Sequence, residues 1–181
     1  MMNIANKITL FRIFLVPVFI VSLMLLGGCS LIPFFIFLIA ALTDMLDGHL
    51  ARSRHLVTTF GKFMDPLADK ILVCSALVML VELKCIGAWG VCIVLAREFI
   101  ISGFRLIAAS NKIVIAASIY GKIKTVTQII AISLILFNLT NIFKIPFNLD
   151  MIFWYISIIF TVISAIDYIV KNIDVLDLSN I

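Results

Sequence analysis

Residues 44–69 read DMLDGHLARSRHLVTTFGKFMDPLAD, with four aspartates in the frame Asp44-x2-Asp47-Gly48-x2-Ala51-Arg52-x8-Gly61-x3-Asp65-x3-Asp69. Positions three and four apart share one helix face. Asp44 and Asp47 close one apolar run, and Asp65 and Asp69 open the next. A helical hairpin therefore points four carboxylates at one cavity by a membrane edge. Unscreened, they would repel strongly in a low-dielectric setting. Bound cations relieve this, and all-oxygen ligands suit Mg²⁺ or Mn²⁺. Four carboxylates are enough to seat two ions, a recurring device in phosphoryl chemistry. Gly48, Ala51 and Gly61 leave room for close approach, and the Arg52 guanidinium suits a phosphate. The bland alternative is two solvated acidic helix ends. For eight fixed positions a chance match is on the order of one in 10^10 per start position.

Working outward, the chain becomes strongly apolar. Its 181 residues are 64% hydrophobic and 13% charged, against roughly 45–50% and about 25% in soluble domains. This composition excludes an ordinary soluble enzyme. It predicts an all-α, polytopic membrane protein forming one domain over residues 1–181. With about 20 apolar residues per span, six transmembrane helices are expected at about 10–28, 31–52, 62–83, 87–110, 120–140 and 149–171. A short amphipathic segment precedes the first, Pro17 is placed to kink it, and Gly27-Gly28 marks a turn. The N-terminus has no clear cleavage site and is read as mature protein. Cys29, Cys74, Cys85 and Cys92 form no C-x-x-C pair and are expected as small apolar fillers.

The formal net charge is +4, with the basic residues bordering the apolar runs. They set topology or meet phosphates; no nucleic-acid pattern appears. Six spans put both termini and the aspartate frame on the side holding most Lys and Arg, which is the cytoplasm. Lys84 and Lys144 alone fall opposite, and Arg97 falls within the fourth span.

The frame resembles the signature of the CDP-alcohol phosphatidyltransferase family, and all eight positions match. The family implies a six-helix integral membrane enzyme, usually a homodimer, with its site open to the cytoplasm. Such an enzyme displaces CMP from a CDP-linked lipid with an alcohol. NKITLFR at 6–12, DPLADK at 65–70, Arg97-Glu98 with Ser102 and Arg105, and GKIKTVTQ at 121–128 are similar to bacterial members whose acceptor is sn-glycerol 3-phosphate. Ala5 stands where many members carry Pro. The resemblance implies CDP-diacylglycerol as donor, phosphatidylglycerophosphate and CMP as products, and the bacterial cell membrane as location.

By the same resemblance, Asp44, Asp47, Asp65 and Asp69 are metal ligands, and Asp69 is also the base toward the acceptor hydroxyl. Thr9, Gly48, Arg52 and Thr58 are CDP-diacylglycerol contacts, with a plain loop role as the alternative for Thr58. A dianionic acceptor needs cations, and Arg97, Arg105, Lys122 and Lys124 are its expected phosphate contacts. The alternatives are a structural Arg97–Glu98 pair and lysines that snorkel at helix ends. His49 and His55 are read as surface or packing residues, and Asp167 as an in-bundle hydrogen-bonding group. Two rival functions stand. One is the same chemistry with phosphatidylglycerol, serine or inositol phosphate as acceptor. The other is a metal-ion transporter, which the nearly bare outer half argues against.

Overall fold

The computed structural model describes residues 4–53, 59–110, 118–142 and 146–172. Side chains at 4–8, 44–53, 59–66, 69 and 109–110 are excluded. Among the described residues there are six α-helices and no strand: α1 Ile4–Leu26, α2 Ile32–Ser53, α3 Thr59–Glu82, α4 Ala88–Ser110, α5 Ile119–Leu139 and α6 Leu149–Lys171. The protein is an all-α membrane protein. Thr9–Leu26, Ile119–Leu139 and Pro146–Lys171 are long and apolar enough to cross a bilayer by length and composition, and Ile32–Thr43 is a shorter apolar stretch. The charges carried by α3 and α4 set those helices apart.

Each break has a local cause. Gly27 takes a left-handed φ of 58° just past α1 and its N–H reaches the Leu23 carbonyl at 2.9 Å, a turn that glycine makes without a Cβ penalty. After α3, Lys84 adopts the same region, and the Cys85 N–H returns to the Leu80 carbonyl at 2.9 Å. Ser118 caps α5 by accepting from the Gly121 N–H at 3.1 Å. Pro146–Asn148 forms a 3-10 turn into α6, with Phe147 and Asn148 both left-handed. Asp150, in the first turn of α6, is buried and accepts from Asn138 Nδ2 at 2.9 Å, tying α5 to α6.

The short N-terminal segment expected before the first span runs straight into it, so that both form one helix with Pro17 inside it. Nothing between Ile4 and the apolar run breaks the helical hydrogen bonding. The other five boundaries fall within a few residues of expectation.

α1 packs on α2 and α3, α5 pairs most extensively with α6, and α4 lies against α6 and α3. Phe19, Phe37, Leu77, Leu80, Ile132 and Trp154 fill the shared interior. Many large apolar side chains face outward, among them Phe14, Phe99, Leu106 and Ile166, as expected where the solvent is lipid. The cysteine expectation is only partly met. All four are free, but Cys29 and Cys92 are exposed, on the α1–α2 turn and the outer face of α4. Both positions point away from the bundle, so neither fills a core gap. Asp167 pairs with Lys171 at 2.6 Å one turn along α6.

Candidate active site

Helix α2 carries Asp44 and Asp47 in its second half, and α3 carries Asp65 and Asp69 in its first half. The two helices are in contact. The helical register the sequence requires is therefore present at all four positions, with each pair on one face of its helix. Gly48 and Arg52 follow on α2. The side chains of Asp44, Asp47, Arg52, Asp65 and Asp69 lie outside those described, as do Thr58, His55 and Lys112 altogether. Among the described residues, no three His, Cys, Asp or Glu side chains gather as a ligand set.

On α1, Thr9 and Arg12 are buried at 2% and 1% exposure. They head the inward stripe that continues through Val16, Phe19 and Leu23. A guanidinium so deep in an apolar bundle is costly unless it is paired or faces a polar cavity.

A second centre lies where α3, α4 and α5 meet. Glu98 on α4 is its hub. Glu98 Oε1 accepts from Lys124 Nζ of α5 at 2.5 Å and from Arg97 at 3.1 Å. Glu98 Oε2 lies 4.0 Å from Lys70 Nζ of α3. Lys70 also donates to Ser102 Oγ, and that hydroxyl donates to the Glu98 carbonyl at 2.5 Å. Arg97 Nε reaches across to Ser164 Oγ of α6 at 3.2 Å. Three helices thus meet at one carboxylate faced by three cations, and Arg97 links the cluster to α6. Lys124 is 3% exposed and Glu98 17%, so these pairs are little screened by solvent. Arg97 gains room from Gly121, where an added Cβ would stand 3.3 Å from its guanidinium.

A small cleft opens beside this cluster, lined by Lys70, Val73, Glu98, Lys124, Thr125 and Gln128, with apolar side chains behind. Position 69 is one turn before Val73 on α3 and so on the same helix face. The cation cluster and the aspartate frame are therefore consecutive along one helix. Lysines and an arginine at the mouth of a cleft can draw in an anionic group by charge-assisted hydrogen bonds.

Of the four basic residues expected at the acceptor phosphate, the structure brings Arg97 and Lys124 together. Arg105 lies 5.9 Å over the Tyr168 ring, and Lys122 is exposed. The Arg97–Glu98 pair does form, but as part of the larger cluster. Lys124 does not snorkel at a helix end: it is drawn inward to Glu98. Lys70, Ser102 and Gln128 belong to the stretches that carry the resemblance, but the sequence assigns them no place in the site. Gln128 had a usable signal, because it stands four residues after Lys124 and so on the same face of α5.

The family model for CDP-alcohol phosphatidyltransferase matches residues 2–163. The chain belongs to that family. Among its relatives is the CDP-diacylglycerol–glycerol-3-phosphate 3-phosphatidyltransferase of Bacillus subtilis (strain 168), 44% identical over 99% of this chain and 100% of that protein. A protein of the same description from Haemophilus influenzae is 38% identical over 92% of this chain and 91% of its own. A probable phosphatidylglycerophosphate synthase of Mycobacterium tuberculosis (strain ATCC 25618 / H37Rv) is 37% identical over 93% and 81%.

Proposed function

We propose that this membrane protein transfers a phosphatidyl group from CDP-diacylglycerol to sn-glycerol 3-phosphate. The products are phosphatidylglycerophosphate and CMP, in phospholipid synthesis. The observation that carries this reading is the Lys70–Arg97–Lys124 cluster on Glu98, opening on a cleft one helical turn from position 69. A neutral acceptor needs no such concentration of positive charge; a phosphorylated one does. The names of full-length relatives support the same acceptor.

The reaction follows from this arrangement. Arg97, Lys124 and Lys70 hold the acceptor phosphate, which leaves its primary hydroxyl toward the aspartate frame. That oxygen attacks the phosphorus bearing the diacylglycerol. The bond from that phosphorus to the CMP oxygen breaks, and CMP leaves with the electron pair. The Asp69 carboxylate takes the hydroxyl proton as attack proceeds. Thr9, Gly48, Arg52 and Thr58 hold the nucleotide end. Asp44, Asp47, Asp65 and Asp69 form an all-oxygen donor set that fits Mg²⁺ or Mn²⁺, two ions in number. Ions held by these carboxylates would supply positive charge against the pyrophosphate and the departing CMP. The domain spans residues 1–181, all six helices cross the cell membrane, and the site faces the cytoplasm. Two copies form a homodimer.

Purified full-length protein in detergent micelles with CDP-diacylglycerol and Mg²⁺ or Mn²⁺ tests the reading. CMP release is measured with glycerol 3-phosphate, serine, inositol phosphate and phosphatidylglycerol. Release with glycerol 3-phosphate, lost on chelation and restored by either metal, is expected. Release only with another acceptor rejects the acceptor assignment. Release unaffected by chelation rejects the metal.

A further inference from the structure

Arg97 is held from more than one side. Its Nη1 donates to Glu98 Oε1 at 3.1 Å, and its Nε donates to Ser164 Oγ of α6 at 3.2 Å. A guanidinium presents its N–H groups in one rigid plane, so bonds to two different nitrogens fix its tilt. Beside Nη2 the Gly121 backbone is bare, and an added Cβ would stand 3.3 Å away. Glu98 alone cannot set the pose, because its Oε1 is shared with Lys124 and one contact lets the guanidinium swing about it.

Ser164 differs from the other hydroxyls on its helix face. Ser157, Thr161 and Ser164 are each 0% exposed. Each donates to a carbonyl about one turn back in α6, at 2.7, 2.6 and 3.0 Å. That bond satisfies the proton and leaves lone pairs to accept. Among the described residues, Ser164 is the one of the three that receives a donor from another helix. Alanine would suit a helix better and fit the same seam; what it lacks is the acceptor. We propose that Ser164 is a positioning residue that sets the Arg97 guanidinium for the acceptor phosphate. This rests on the acceptor reading above, in which Arg97, Lys124 and Lys70 hold that phosphate. An arginine has much rotamer freedom, and freedom removed before the ligand arrives need not be lost on binding. A group that holds the phosphate alike before and during transfer acts on KM and spares kcat.

The test measures CMP release by the full-length protein against glycerol 3-phosphate and, separately, against CDP-diacylglycerol, with thermal melting alongside. Ser164→Ala is expected to raise KM for glycerol 3-phosphate about tenfold, while kcat and KM for CDP-diacylglycerol stay within about twofold. Ser164→Cys keeps the shape with a far poorer acceptor; it is expected to follow the Ala variant and serves if that variant does not fold. Ser157→Ala, on the same buried face but without the Arg97 contact, is expected to leave all three constants within about twofold. A KM for glycerol 3-phosphate that stays flat while kcat and the melting temperature fall marks a merely structural serine and overturns the proposal. An equal rise in KM from Ser157→Ala overturns it too, since the effect is then general to α6; both results leave the acceptor reading standing. Release from wild type with a non-phosphorylated alcohol but not with glycerol 3-phosphate overturns the acceptor reading, and the role of Ser164 with it.

Discussion

Removing the Glu98 carboxylate leaves three cations of the cluster facing one another inside the bundle. Glu98→Ala does this directly. Arg97 and Lys124 both rely on Glu98 Oε1, at 3.1 and 2.5 Å, and their side chains are 13% and 3% exposed. Breaking a buried pair by removing one partner costs about 3–5 kcal/mol. The Lys70 contact, at 4.0 Å and 31% exposure, adds little because solvent screens it. At about 2–4 °C per kcal/mol for a chain of this length, unfolding is expected about 6–20 °C below wild type, read by circular dichroism in detergent. A double-mutant cycle isolates the cause. Lys124→Met in the Glu98→Ala background is expected to recover part of the loss, because it removes a charge left uncompensated. A Glu98→Ala variant that melts within about 2 °C of wild type, or losses that simply add, would refute the claim that this carboxylate ties α3, α4 and α5 together.

Further expectations follow from other parts of the molecule. Asp69→Asn is expected to abolish CMP release while the protein still inserts into membrane, measured by activity beside carbonate extraction; near-normal turnover would reject Asp69 as the base. Cys29, exposed on the α1–α2 turn, should react with a membrane-impermeant maleimide from outside intact cells; labelling only after lysis would contradict the topology. Burial, aided by the nearby Asp150 carboxylate, pushes the Cys85 thiol above its ordinary range. A thiol below its pKa gains thiolate as pH rises, so a raised pKa moves that gain to higher pH. Labelling of Cys85 relative to Cys29 should therefore climb on going from pH 7 to pH 9, and Asp150→Asn should flatten the climb; a flat ratio in the unaltered protein would count against it. Gly90→Ala places a methyl 2.8 Å from Ile158 Cδ1 and 3.0 Å from the Trp154 ring. The α4–α6 seam should lose about 1–3 kcal/mol, read as a lowered melting temperature.

The helices were legible because span length and turn chemistry are local. Apolar runs bounded by Gly27-Gly28 or by Pro146 fix their own ends, and the aspartate frame reports its helical register through spacing alone. What the sequence hid is long-range. Glu98 meets Lys124 across 26 positions and Lys70's partner Ser102 lies 32 away, and no periodicity pairs residues on separate helices. Reading Arg97, Arg105, Lys122 and Lys124 as one set followed from charge type, but packing sorts them. Lys124 turns inward to a carboxylate, whereas Lys122, 200° round the same helix, faces out.

The lipid product decides the central claim. Full-length protein reconstituted into vesicles containing CDP-diacylglycerol is given sn-glycerol 3-phosphate and Mg²⁺, and the extracted lipids are identified by mass spectrometry. The account predicts phosphatidylglycerophosphate in equal amount to the CMP released. Its absence, with the donor untouched or its phosphatidyl group on a different alcohol, would contradict the account.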